Sequence, residues 1–146
     1  MQDVSATGVK ITVITVPTYP QGFEVSEFAD NADPLDFPPT QIADYGMGVN
    51  GDLVTWTKPV PLEITLNVIP NTDADKNLGI LYDMNRAAKG KISAQDLVTL
   101  VASYPDGTRK IFSNGKLISG VPANGVSSDG RIKTKEYKFV FENKIN

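Results

Sequence analysis

The sequence predicts a mainly β fold of the α+β class, an antiparallel β-sandwich or small barrel with one flanking α-helix over about residues 73–88. Three observations predict it. Short segments of β-branched and aromatic residues alternate with polar ones at a period of two. Gly, Pro, Asn and Asp recur between those segments, where turns are needed. Only the stretch from residue 73 onward carries apolar side chains at helical spacing.

Residues 10–16 (KITVITV) open the series, with Ile11, Val13 and Thr15 on one face. Pro17 and Pro20 close that strand, and residues 22–28 follow as its hairpin partner across a long turn. Residues 29–40 (ADNADPLDFPPT) differ in kind. Pro34, Pro38 and Pro39 fix φ and remove donors, which excludes a helix or a central strand. This Pro/Asp-rich extended loop displays Leu35 and Phe37, which either fold back into the core or await a partner. Residues 41–48 re-enter as a strand, and Asn50-Gly51-Asp52 makes a turn. Residues 53–57 and 62–68 then form a strand pair linked across 58–61, with Leu62, Ile64, Leu66 and Val68 on one face.

The helix begins at a cap supplied by Asn71 or Thr72, and Thr72 with Asp75 has the form of a capping box. Leu78, Leu81, Tyr82 and Asn85 recur on one side. Arg86, Lys89 and Lys91 complement the C-terminal dipole, and Gly90 supplies a stop. Residues 97–104 (LVTLVASY) form a strand, and Pro105-Asp106-Gly107 turns the chain. Residues 108–112 return, Asn114-Gly115 predicts a further turn, and 116–119 continue. Residues 120–130 are a Gly/Ser/Asn-rich loop. Residues 131–142 make the last strand, with Tyr137, Phe139 and Phe141 alternating against Glu136, Lys138 and Val140. The whole of 1–146 reads as one domain.

The chain has no histidine and no cysteine, so a His base, a thiolate nucleophile and imidazole or thiolate metal sites are excluded. Asp73-Ala74-Asp75-Lys76-Asn77 starts like a calcium loop, but the sixth position is Leu78 and the twelfth Met84, where Gly and Glu are required. Asp30, Asp33 and Asp36 read as solvated turn-formers before they read as a cation site. Ser127-Ser128-Asp129 has no partnering base, and Gly46-Met47-Gly48 with Gly51 is too loose for a dinucleotide fingerprint. Lys133, Lys135 and Lys138 around Tyr137 form a small basic patch on one side of a strand. A formal charge of −3 argues against a protein that grips nucleic-acid backbone. No apolar run approaches the roughly 18 residues of a bilayer span, and no basic n-region marks a signal peptide, so no membrane anchor is expected.

Four segments carry a family resemblance: 23–33 (FEVSEFADNAD), 44–51 (DYGMGVNG), 68–72 (VIPNT) and 133–143 (KTKEYKFVFEN). Together they resemble the tail tube proteins of bacteriophages with contractile tails. The resemblance implies a structural subunit of the virion tail, made in the host cytoplasm, with no enzymatic activity and no cofactor. It implies hexameric rings that stack into a hollow conduit for DNA ejection inside a contractile sheath. The implied partners are further copies of the chain, the tail sheath protein, baseplate and tail-terminator proteins, and the tape measure protein and genomic DNA in the lumen. An acidic lining that repels phosphate would let DNA slide. Within the loop 29–40, Leu35 and Phe37 are the candidate apolar anchors of the subunit interface, and Asp30, Asp33 and Asp36 its polar rim. Two alternatives remain open: a baseplate or tail-terminator component of the same fold, and a carbohydrate- or peptide-binding β-sandwich module. The last predicts an exposed aromatic cluster, whereas the aromatics lie mostly within strand segments, as core residues would.

Overall fold

The computed structural model describes residues 4–5, 7–28 and 32–145. In chain order the elements are β1 (Lys10–Val16), β2 (Tyr19–Val25), β3 (Leu35–Asp36), β4 (Ala43–Met47), β5 (Leu53–Thr57), β6 (Leu62–Val68), α1 (Asp73–Asn85), β7 (Leu97–Ser103), β8 (Arg109–Ser119) and β9 (Lys135–Ile145). Among the described residues, seven strands form one antiparallel sheet in the order β2-β1-β7-β8-β9-β6-β3, while β4 and β5 pair only with each other. The predicted class holds: antiparallel β throughout, with one flanking helix.

Period-two patterning builds the core. Ile11, Val13 and Thr15 from β1, Ile64, Leu66 and Val68 from β6, Val98, Leu100 and Ala102 from β7, and Tyr137, Phe139 and Phe141 from β9 are buried on one side of the sheet. α1 covers that side through Ala74, Leu78 and Leu81. The sheet curls toward a barrel. Beyond the edge strand β2, Phe28 bridges to Val68 on β6, and the Ile69 amide donates to the Glu27 carbonyl at 3.5 Å. The segment after β2 thereby joins one side of the sheet to the other.

Several local expectations are corrected. The β1–β2 connection is short, with Thr15 opposite Tyr19, so Pro20 falls inside β2. An edge strand tolerates this, because its outer donors have no ladder partner to lose. β5 pairs with β4 and not with β6, whose neighbours are β9 and β3. Asn50-Gly51 turns β4 directly into β5, with Gly51 at φ +89°. The Asn114-Gly115 signal does not end a strand. β8 runs straight through it, with Asn114 at φ +54° and the register slipping there against β7. α1 ends at Asn85 and not near residue 88, because Arg86 is already extended at φ −83°, ψ 123°. The Asn85 side chain explains this early stop: it donates to the Leu81 carbonyl and to Asp96, and accepts the Asp96 amide. No basic residue lies in the last helical turn, although Lys91 Nζ folds back to donate to the Asp83 carbonyl.

Candidate assembly interface

Among the described residues Asp75 and Asp96 are the buried carboxylates, and both are consumed in holding α1. Asp75, only 2% exposed, accepts the Asn71 amide at 2.9 Å and the Tyr137 hydroxyl at 3.2 Å, and pairs with Lys135 Nζ at 3.1 Å. Thr72 caps the helix by accepting the Asp75 amide. Burial pushes the Tyr137 hydroxyl well above the ordinary tyrosine range, and the charge of Asp75 adds to the shift. At the other helix end, Asp96 accepts the Thr18 amide and hydroxyl and the Asn85 amide group. Among the described residues no group of three or more acidic side chains is placed to hold a metal ion. Two of the three lysines of the expected basic patch are engaged: Lys135 is bound to Asp75, and Lys138 pairs with Glu136 at 3.6 Å.

The structure puts the predicted interface loop mostly to internal use. Asp30 lies outside the described residues. The Asp33 carbonyl accepts from Asn67 Nδ2 at 2.7 Å, and the Pro34 carbonyl accepts from the Asn67 amide at 3.0 Å. Leu35 and Asp36 form β3 against Leu66 and Thr65, and Leu35 packs on the core. Phe37 stacks on Phe112 with ring centroids 5.4 Å apart. Of the two fates left open for Leu35 and Phe37, folding back is the one observed, although Phe37 stays 38% exposed. The Asp33 and Asp36 carboxylates remain on the surface.

The free surface lies next along the chain. β4 and β5 form an arm that belongs to neither side of the large sheet. On one of its faces Tyr45 and Met47 lie opposite Thr55 and Leu53; on the other, Trp56 and Val54 lie opposite Asp44 and Gly46. Every β5 residue is exposed, Tyr45 is 71% and Trp56 50% accessible, and Val49 at the tip is fully exposed. Lys58 and Asp44 join across the root at 3.7 Å. A two-stranded hairpin is marginally stable alone in water, and contiguous apolar surface of this kind marks interaction sites. Both edges of the arm lack proline, whereas the edges of the large sheet are blunted by Pro20 in β2 and by Pro34 and Pro38 around β3.

Sequence reasoning passed over this arm because it seeks strands with one apolar face. Tyr45, Met47 and Leu53 against Val54 and Trp56 break that alternation, and the break was the available signal. The aromatics Tyr45 and Trp56 are not core residues, but they project from opposite faces of the arm and do not make one sugar-binding platform.

The model of the family described as tail fiber protein gp32 matches residues 2–145. No curated protein sequence matches the chain. Among solved structures, the tube-terminating cap of the anti-feeding prophage superposes with a TM-score of 0.56 at 12% identity, covering 99% of this chain and 91% of that one. The sheath/tube terminator of an extracellular contractile injection system, PVC, in its extended state gives 0.53 at 12% identity, covering 99% and 96%. A chain of the anti-feeding prophage baseplate gives 0.52 at 9% identity, covering 99% and 95%. At these identities the likeness is one of fold.

Proposed function

The chain belongs to the tail fiber protein gp32 family, and from that premise we propose that it is a structural subunit of a contractile phage tail, of the terminator or baseplate type. The family match and the fold shared along 99% of the chain with tube-terminating and baseplate subunits support a tail-associated structural role. They favour the terminator or baseplate alternative over the tube subunit that the sequence alone put first. The observation that carries the assembly role is the β4–β5 arm, a hairpin with apolar side chains on both faces and, among the described residues, no further strand beside it. Such an element is completed by association.

In this reading residues 1–146 act as one tail-tube-like domain whose copies close into a ring, six-fold as the resemblance implies. Each contact is heterologous, with the arm on one copy meeting a different surface on the next. Asp33, Leu35, Asp36 and Phe37 sit where the arm departs and would border the contact, with Asp30 in the same segment. Sheath and tube ends are the remaining partners of a terminator; the tape measure protein and DNA are those of a conduit.

Negative-stain electron microscopy with sedimentation velocity over a wide concentration range tests the proposal. Closed rings that do not stack are expected. Long hollow tubes would restore the tube-subunit reading, and a monomer at every concentration would overturn self-assembly altogether.

A further inference from the structure

Among the other exposed apolar side chains of the described residues, those on α1 lie next to basic residues. On α1, Ile80 and Met84 lie one turn apart on the solvent side and are about half exposed. The segment after the helix folds back against this turn: Lys91 Nζ donates to the Asp83 carbonyl, Ser93 Oγ to the Asn85 carbonyl at 2.9 Å, and the Ala94 amide to the Met84 carbonyl at 2.9 Å. Ile92, nearly fully exposed, stands on this folded-back segment, two residues before the Ala94 amide that bonds Met84. Arg86 and Lys89 are exposed on the same loop, with Lys91 behind them and Asp83 as the local carboxylate.

The arm sits in a stretch of opposite sign. Residues 11–57 contain Glu24, Glu27, Asp30, Asp33, Asp36, Asp44 and Asp52, and no lysine or arginine. Residues 86–138 hold Arg86, Lys89, Lys91, Arg109, Lys110, Lys116, Arg131, Lys133, Lys135 and Lys138 against Asp96, Asp106, Asp129 and Glu136. Lys58 offsets Asp44 at the arm's root, which leaves Asp52 toward its tip; that carboxylate and a basic-rimmed apolar patch on the same chain are complementary between copies. Arm-to-arm contact would instead bring Asp52 against its own kind.

We propose that the β4–β5 arm of one copy docks on the Ile80–Met84–Ile92 patch of a neighbouring copy, with Asp36 and Asp52 facing Arg86 and Lys89. The contact rests on the ring-forming role proposed above and names the surface that receives the arm. Its two halves lie on different parts of the molecule, so head-to-tail repetition of the contact closes into a ring where the rotation allows, whereas reciprocal exchange of arms would stop at a two-fold dimer. Because the charges sit at the rim, added salt weakens the contact while the apolar centre persists.

Charge exchange tests this on the full chain, read by sedimentation velocity and negative-stain microscopy. The patch variant Arg86→Glu/Lys89→Glu and the acidic-side variant Asp36→Lys/Asp52→Lys, one residue on β3 before the arm and one on the arm, should each weaken self-association by about a hundredfold, with circular dichroism unchanged. An equimolar mixture of the two should recover rings of alternating copies, as should one chain carrying all four substitutions. Ile80→Ser/Met84→Ser should weaken assembly as Trp56→Ser does. If wild-type rings form and the patch variant assembles as well as wild type, the arm docks elsewhere and the inference falls alone. If the wild-type chain stays monomeric throughout, the ring reading falls with it.

Discussion

Replacing Lys135 by Met removes one charge from the buried Asp75 site while keeping an unbranched stem of similar reach. Asp75 is 2% exposed and would keep two donors, the Asn71 amide at 2.9 Å and the Tyr137 hydroxyl at 3.2 Å. It would lose its ion partner at 3.1 Å. Stranding one member of a buried pair costs about 3–5 kcal/mol. The two surviving hydrogen bonds, and the 12% exposure of the Lys135 side chain, place this site at about 3 kcal/mol. Asp75→Asn leaves the ammonium near the surface, where it can reach water, and should cost about 1–2 kcal/mol. The double variant removes both charges, and Asn can still accept the Asn71 amide, so its cost should be only about 1 kcal/mol. The cycle thus predicts a coupling of about 3 kcal/mol, read from urea denaturation at constant m, with Lys135→Met alone lowering Tm by about 10 °C. A double variant whose cost equals the sum of the singles would refute the reasoning, since the two groups would then act independently.

A Cβ on Gly115 would lie 2.2 Å from Phe141 Cδ1 and 2.9 Å from the Val140 carbonyl oxygen, and the Phe141 ring is buried. Gly115→Ala should therefore destabilise by about 3 kcal/mol through overpacking, and a thermal midpoint equal to wild type would show that β8 and β9 part more easily than their packing suggests. Thr72→Ala removes the acceptor for the Asp75 amide and should cost about 1 kcal/mol in the same melts; no change would mean the cap is replaced by water. The Tyr137 hydroxyl is held above its unfolded value, so its contribution to stability is complete below about pH 10 and fades as pH rises through the folded value. Tyrosine absorbance followed against pH should show this phenol ionising last, together with unfolding, and Tyr137→Phe should remove that late step.

Strands whose environment is one-sided were legible. Residues 10–16, 62–68 and 97–103 alternate because one face meets the core, and their predicted and observed bounds agree within a residue. What local pattern could not convey was pairing at a distance. Nothing within 53–68 says that β5 turns back on β4 while β6 goes to β9, although Pro59 and Pro61 between them hinder a tight hairpin. Asn114-Gly115 is a strong turn signal that context overrides: β9 runs alongside, and its Phe141 ring occupies the space Gly115 leaves. The helix end was set by Asn85 reaching Asp96, eleven residues on, and not by Gly90. The course of the loop 29–40 was only partly legible. The residue types of 29–40 pointed to an apolar loop with acidic edges, but which residues the barrel would absorb depended on Phe112 and Asn67, both remote in sequence.

The arm's independence from the body also has an evolutionary meaning. Core positions such as Phe139 and Leu66 are constrained by several neighbours at once, so drift there is slow and compensated. Tyr45, Met47, Leu53 and Trp56 answer to no such committee. If the arm is the contact proposed above, substitution along residues 43–57 retunes what it meets while leaving the scaffold to fold as before. A lineage could in this way carry one barrel into several positions along a particle by rewriting fifteen or so residues.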